Sequence, residues 1–174
     1  MIFHIDMSNH YEQKTYSVLA LVSVNSNIYC NNNTKKGVII SEPIRKKFVS
    51  TYTEKKLHAA LIYFLIKDIK KIKKIIICAD VRPIEKVMSY LSQLEPGLFG
   101  RLKPLSELRE EIGDQKLKSA ADTFARNINH NFKKRKNKHR SKSYFHDGTI
   151  LIFSIEYPEL IKKLEKVLEK LKNK

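Results

Sequence analysis

The sequence predicts a mixed α/β domain, and three observations along the chain support this fold class. Residues 1–7 and 15–25 are rich in β-forming residues, and consecutive strands joined by short turns imply antiparallel pairing. After Pro43 the apolar residues recur at helical spacing. Residues 73–80 (KKIIICAD) contain a continuous apolar run, which is typical of a strand buried on both faces of a sheet. This order indicates a mixed sheet with antiparallel first strands, then parallel strands, flanked by helices.

The remaining strands and helices alternate along the rest of the chain. Further strands are predicted over 37–41, 98–105 and 148–155. Helices are predicted over 53–72, 83–94, 114–130 and 158–174. The apolar residues expected to face inward are Leu57, Ala60, Leu61, Phe64, Leu65 and Ile69 in the first helix, Leu117, Ala121, Phe124 and Ile128 in the third, and Leu160, Ile161, Leu164, Val167, Leu168 and Leu171 in the last.

The net charge favours a polyanionic partner. The chain has 34 Lys and Arg against 18 Asp and Glu, which gives a net charge of +16. Such an excess attracts nucleic acid, although acidic membranes and ribosomal surfaces attract the same charge, and growth at high temperature also enriches lysine. No apolar run is long enough to cross a bilayer, and the first residues do not resemble a secretory signal. We therefore expect a soluble cytoplasmic protein that contacts nucleic acid and no membrane.

The two cysteines give no indication of a disulfide bond or a zinc site. Cys30 and Cys78 lie far apart in the sequence and have no zinc-ligand spacing. Cys78 is interpreted as a core residue of a buried strand, and His4 as a structural histidine.

Four carboxylates fall near the ends of predicted elements. Asp6 ends the first strand, on the same face as His4 by strand alternation. Asp80 ends the buried strand at its carboxyl edge, where open α/β sheets build their sites. Asp122 lies one residue round from the apolar stripe of its helix, and Glu54 begins the first long helix. Hard cations prefer oxygen ligands, so this set suggests a site for Mg²⁺ or Mn²⁺, with two ions about 4 Å apart.

Each carboxylate also has a structural interpretation. Asp6 is equally consistent with a turn at the end of an edge strand. Asp122 has the spacing for a surface ion pair with Lys118 or Arg126. Glu54 suits the first turn of a helix, because the helix dipole favours negative charge there.

A helix N-cap is a weaker interpretation of Asp80. Pro83 suits the first helical position, which makes Arg82 the N-cap instead.

Three of these segments together resemble the ribonuclease H type of the ribonuclease H-like superfamily. Residues 3–8 (FHIDMS) are similar to its first strand, and 75–88 (IIICADVRPIEKVM) to its central strand ending in Asp. Residues 121–127 (ADTFARN) are similar to its closing helix, and the order of elements also agrees. The resemblance covers 1–130 and implies that Asp6, Asp80 and Asp122 are metal ligands. Glu54 is a candidate fourth ligand only if its helix starts differently.

The resemblance therefore implies a divalent-metal-dependent nuclease acting on an RNA–DNA hybrid or a structured or branched nucleic acid. One departure bears on activity. Lys56 occupies the position of the family's helix glutamate, and Glu54 is two residues early, about 200° round the helix. There are two other departures. Val81 follows Asp80, where the family often has a Ser, and the His that the family carries in a mobile loop before its last Asp is absent. A non-catalytic nucleic-acid-binding protein, or an interaction protein with a basic surface, is the alternative.

The segment 131–147 is predicted as a basic loop that contacts phosphates, before a strand–helix extension at 148–174. A solvated flexible loop is the alternative. A second lysine cluster, 67–74, is interpreted as the solvated end of a helix. The predicted nucleic-acid-binding residues are Arg126, Lys133, Lys134, Arg135, Lys136, Lys138, Arg140 and Lys142.

Overall fold

The computed structural model describes residues 1–8, 16–24, 34–135, 143–146 and 150–172. Within them, strands and helices alternate much as the sequence predicts. The strands are β1 (Ile2–Ser8), β2 (Tyr16–Val24), β3 (Lys35–Ser41), β4 (Lys74–Ile77), β5 (Leu102–Pro104), β6 (Ser143–His146) and β7 (Ile150–Ile155). The helices are α1 (Glu42–Thr51), α2 (Glu54–Ile66), α3 (Ile84–Leu94), α4 (Leu105–Ile112), α5 (Ala120–Arg135) and α6 (Pro158–Glu169), with a short 3₁₀ turn at Pro96–Leu98.

All of these strands belong to one mixed sheet, in the order β5-β4-β1-β2-β3-β7-β6. The first three strands pair antiparallel, whereas β4 pairs parallel to β1 and β5 parallel to β4. β7 pairs parallel to β3, and β6 pairs antiparallel to β7. The predicted α/β class, with antiparallel first strands followed by parallel ones and flanking helices, is therefore confirmed.

Alternation along β1 sends its side chains into two different layers. Phe3 and Ile5 enter the main core, which β1 shares with α2, α3 and α6. His4 and Asp6 point to the other face, against which α5 packs. The predicted shared face of His4 and Asp6 is thus confirmed, and it lies under the helix that carries Asp122.

Small residues let α5 approach the sheet closely. Ala121 and Ala125 are fully buried on the helix and meet Ala20 on β2. A Cβ atom added to Gly37 of β3 would come within 2.6 Å of the Ile128 Cδ1 atom. The alanine pair beside Asp122 therefore has a packing role, because larger side chains would push the helix away from β1 and β2.

The C-terminal segment completes the main layer. β7 extends the sheet beside β3, and α6 packs on α2. Leu164, Val167, Leu168 and Leu171 of the predicted apolar stripe are buried, and Leu160 and Ile161 pack partly buried against them.

Several element boundaries differ from the predicted ones. α5 begins at Ala120 rather than at 114, because Gly113 ends α4 in a left-handed conformation (φ 72°) and a turn follows. The backbone of Pro83 is extended, so Pro83 is the N-cap of α3 and not its first residue. The helices α1 and α4 were not predicted.

The segment predicted as a basic loop has regular structure at both ends. Its first residues, 131–135, continue α5, and 143–146 form β6. The structure does not describe 136–142 or 147–149.

Replacing Ala125 with leucine tests the close packing of α5. We expect Ala125→Leu to lower the free energy of unfolding by about 1–3 kcal/mol, because the added atoms overpack a well-filled interface. Chemical denaturation measures this change. Thr123→Leu on the exposed face of the same helix is the control and should be close to neutral. Equal changes in both variants would contradict the packing role.

Candidate metal centre

Asp6 and Asp80 converge on one backbone N–H group. β4 runs parallel to β1, and the Cys78 N–H, just after β4, donates to the carbonyl oxygen of Ile5 at 3.0 Å. This continued pairing carries Asp80 to the end of β1. The Met7 N–H lies 2.8 Å from Asp6 Oδ1 and 3.1 Å from Asp80 Oδ2. The two carboxylates therefore share a single donor, although 73 residues separate Asp80 from Met7.

Burial and mutual repulsion disfavour ionisation of both carboxylates. Burial raises the pKa of Asp6, and the charge of Asp122 adds to the rise. Burial raises the pKa of Asp80 to about 7, and the charge of Asp6 is the next cause. Two negative charges this close repel each other in a partly desolvated site. The pair therefore favours an added proton or cation.

Cys78 lies beside the two carboxylates. One ligand atom from each of Asp6, Cys78 and Asp80 lies within 4.8 Å of the others. Burial and the two carboxylates raise the pKa of the Cys78 thiol to about 12, so the sulfur stays protonated and hydrogen-bonds to Asp6. A protonated thiol is a poor metal ligand, whereas carboxylate oxygens suit hard divalent cations.

The start of α5 is attached to β1 next to Asp6. The Ala120 N–H donates to His4 Nδ1 at 3.2 Å, and Ser119 hydrogen-bonds to the Asp6 carboxylate. Burial lowers the pKa of His4, which keeps the ring neutral and able to accept this bond. Ser119 Oγ also accepts from the Ala121 N–H at 3.1 Å, which caps the helix. These contacts fix where α5 places Asp122.

Asp122 lies at the margin of the carboxylate pair. Its charge raises the pKa of both Asp6 and Asp80, which shows that it lies nearby. Its Oδ1 atom accepts from Arg126 Nε at 2.8 Å, the ion pair expected from their spacing. Among the described residues it contributes no atom to the 4.8 Å group. The charge of Asp122 therefore acts on Asp6 and Asp80, while its side chain forms an ion pair with Arg126.

Within the part of the chain that the structure describes, Glu54 does not belong to the group formed by Asp6, Cys78 and Asp80. It is the first residue of α2, which follows the cap residue Thr53. α2 packs against α3 and α6, in the layer on the other side of the sheet from α5. The favourable interaction between a negative charge and the helix dipole at the start of α2 accounts for the position of Glu54.

Lys56, at the position where the predicted resemblance expects a glutamate, has a structural role. Its Nζ atom donates to the Leu171 carbonyl oxygen at 2.6 Å, just beyond the end of α6. The same atom lies 5.5 Å from the centre of the Tyr90 ring. A cation is favoured beside the unpaired carbonyls at the end of a helix, which explains a lysine here.

The predicted nucleic-acid-binding residues are described only in part. The exposed Arg126 pairs with Asp122. Lys133, Lys134 and Arg135 form the last residues of α5. Lys136, Lys138, Arg140 and Lys142 lie outside the described residues.

Three residues at the site were not predicted to belong to it. Cys78 and His4 were interpreted as structural, and Ser119 was not singled out. Cys78 had one available signal, since it stands two residues before Asp80 and so shares its side of an extended chain. Ser119 had another, as a helix-capping residue three positions before Asp122.

Comparison of this chain with family models, with curated proteins and with solved structures gives no match. Among the described residues, no helix combines the length and the apolar character needed to cross a membrane. The interpretation of the site therefore depends on its own geometry and chemistry.

The raised pKa of Asp80 predicts a pH-dependent effect of Asp80→Asn. The unfolded carboxyl ionises near pH 4 and the folded one near 7, so wild-type stability falls as pH rises between these values. Without divalent ions, we expect Asp80→Asn to become more stable than wild type over this range, by up to about 4 kcal/mol above pH 7.

Urea denaturation at several pH values in EDTA measures this difference. Asp114→Asn, at an exposed loop position, is the control and should track wild type. A constant difference between Asp80→Asn and wild type from pH 4 to 8 would contradict the raised pKa.

Proposed function

We propose that this chain is a divalent-metal-dependent nuclease that hydrolyses phosphodiester bonds of nucleic acid. The observation that carries the proposal is the sharing of one Met7 N–H by the buried carboxylate of Asp6 and the half-buried carboxylate of Asp80. Such a pair places two carboxylates close together in a partly desolvated site, and a divalent cation would relieve their mutual repulsion.

The topology supports the ribonuclease H-like resemblance. The strands β3-β2-β1-β4-β5 lie side by side, with β1 to β3 antiparallel and β4 and β5 parallel to β1. Asp6 is on the first strand, Asp80 follows the central parallel strand, and Asp122 is on α5, the second helix after β5. These are the positions at which the resemblance expects metal ligands.

The donor set fits Mg²⁺ or Mn²⁺ better than a soft metal. Asp6 and Asp80 supply oxygen ligands, and the protonated thiol of Cys78 donates to Asp6 instead of offering a thiolate. When bound, one or two such ions would activate a water molecule and stabilise the leaving oxygen of a phosphodiester.

The surrounding residues would hold the ligands in place. The Met7 N–H and Ser119 orient the Asp6 carboxylate, while His4 fixes the start of α5. Asp122 would join Asp6 and Asp80 as the third carboxylate when Arg126 turns to a substrate phosphate. Because Arg126 is exposed and its surface ion pair is weak, this exchange of partners has a low energetic cost.

A non-catalytic nucleic-acid-binding protein is the second candidate. Two observations favour it: Lys56 is engaged at the end of α6, and the described structure does not bring Glu54 to the carboxylate pair. Without a glutamate in the metal site, affinity for a second ion would be lower. Cleavage and binding assays separate the two candidates.

Cleavage assays test the proposed activity directly. Labelled RNA–DNA hybrid, duplex DNA and branched DNA are incubated with the protein in Mg²⁺, in Mn²⁺ and in EDTA. We expect metal-dependent cleavage of at least one substrate, reduced at least about 100-fold in Asp6→Asn and in Asp80→Asn, because each variant removes a charged ligand oxygen. The control variant Asp114→Asn should cut as wild type does.

Metal binding is measured separately, by the effect of Mn²⁺ on the melting temperature. We expect Mn²⁺ to stabilise wild type and Asp114→Asn, and to stabilise Asp6→Asn and Asp80→Asn much less. If every protein bound the substrates equally and none cut them, the nuclease proposal would fail and the binding protein would stand.

A further inference from the structure

The segment 67–74, which connects α2 to β4, exposes a set of lysines. It contains five lysines and one acidic residue, Asp68. Ile72 is buried and Ile69 packs partly buried against the main core. Lys67, Lys70, Lys71 and Lys73 are exposed, and Lys74 is half-buried at the start of β4. The two isoleucines thus anchor the segment while its lysines point to solvent.

Long-range hydrogen bonds hold this segment in one conformation. The amino group of Met1 donates to the Lys71 carbonyl oxygen at 3.0 Å, and the Lys73 N–H donates to the Met1 carbonyl oxygen at 2.8 Å. Arg101 donates from a guanidinium nitrogen to the Ile72 carbonyl oxygen at 2.8 Å. The lysines therefore project from a fixed backbone, which differs from the solvated end of a helix that the sequence predicted.

Neighbouring cations enlarge the cluster. We call the five lysines of 67–74, with Arg101 and the Met1 amino group, the lysine edge. Lys36 of β3 lies beside it: burial lowers its pKa, Asp68 opposes this, and Lys67 adds to the lowering. Within the described part of the chain, none of these side chains forms an ion pair within 4.0 Å.

Acidic residues compensate little of this charge. Asp68 is exposed within the segment, and Lys74 lies near enough to Glu111 to help lower the pKa of that carboxyl. Glu111 itself pairs with Lys103. The remaining cations keep a concentrated positive charge.

The lysine edge and the carboxylate pair lie at opposite ends of the same strands. Lys74 pairs with Ile2 at the beginning of β1, whereas Asp6 and Asp80 meet near its end. From Met1 to Asp6 is five residues, or about 17 Å along an extended strand. The lysine edge is therefore a separate surface, outside the proposed metal centre.

We infer that the lysine edge is a second nucleic-acid-binding surface, which contacts backbone phosphates. The choice of nucleic acid as the partner rests on the proposed function, but the binding itself requires neither metal ion nor Asp80. Lysine ammonium groups bind phosphates as point charges without reading bases, so the contact is independent of sequence.

The chemistry of the segment favours nucleic acid over two other anionic partners. A membrane-binding segment exposes apolar side chains to insert between lipids, but Ile69 and Ile72 point into the protein. An acidic protein partner requires an apolar centre of contact, which the exposed lysines do not provide. A row of phosphates requires only spaced cations.

A triple substitution in the lysine edge tests the inference. In Lys70→Gln, Lys71→Gly and Lys73→Gln combined, glycine suits position 71 because the backbone there has φ 59°. Binding to a labelled DNA duplex is measured by fluorescence anisotropy over a series of KCl concentrations. All proteins carry Asp80→Asn, and EDTA is present.

We expect the triple variant to bind at least about tenfold more weakly at about 0.1 M salt, and to lose about 2–3 from the magnitude of its salt slope. The matched control is Lys162→Gln and Lys163→Gln on the exposed face of α6 combined with Lys170→Gln at its C-cap, which removes the same net charge. It should keep nearly the wild-type slope. Unfolding curves confirm that both triple variants are folded.

Three results would overturn the inference. Equal weakening in both triple variants would show that only net charge matters. An unchanged salt slope in the lysine-edge variant would place the contact elsewhere. Stronger wild-type binding to phosphatidylserine vesicles or polyglutamate than to the duplex, lost in the same variant, would identify a different partner. The binding experiment does not measure cleavage. Its outcomes can therefore be interpreted even if the nuclease assay fails.

Discussion

The parallel pairing of β1 with β4 is the constraint on which the candidate site depends. It brings the end of β1 and the residues after β4 to one edge of the sheet, where Asp6 and Asp80 meet at the Met7 N–H. A single neutral donor stabilises one carboxylate far better than two. The backbone arrangement therefore brings two carboxylates together where ionisation of both is disfavoured and an added proton or cation is favoured.

The packing of α5 ties the stability of the fold to the geometry of that site. Ala121 and Ala125 allow the helix to lie close to β1 and β2, and the bond from the Ala120 N–H to His4 fixes its start. Asp122, which lies next to the alanine pair, is held near the two other carboxylates as a result. A lone acidic residue among alanines and cations is thus placed by backbone contacts, and its Arg126 partner balances it on the solvent side.

Much of the fold and part of the site could be predicted from the sequence. The strand runs, the helical spacing after Pro43 and the alternation of His4 and Asp6 are local patterns, and the structure follows them. The helices α1 and α4 are short and mostly polar, so the sequence pattern does not predict them. The shared Met7 N–H depends on the register between strands about 70 residues apart, which no local pattern encodes. The position of Lys56 at the end of α6 likewise depends on a contact 115 residues away.

The lysine edge and the carboxylate pair lie at opposite ends of the strands, and this distance affects the chemistry of the carboxylates. Lysines beside Asp6 and Asp80 would neutralise them, lower their pKa values and remove their need for a divalent ion. The lysine edge lies about 17 Å away along the strands, which exceeds the screening length of about 8–10 Å at physiological salt. The proposed polyanion contact at the lysine edge and the proposed metal site at the carboxylate pair are therefore compatible in one highly basic chain. Arg126 pairs with Asp122 beside the site, and because it is exposed, the proposed exchange of Asp122 for a substrate phosphate has a low energetic cost.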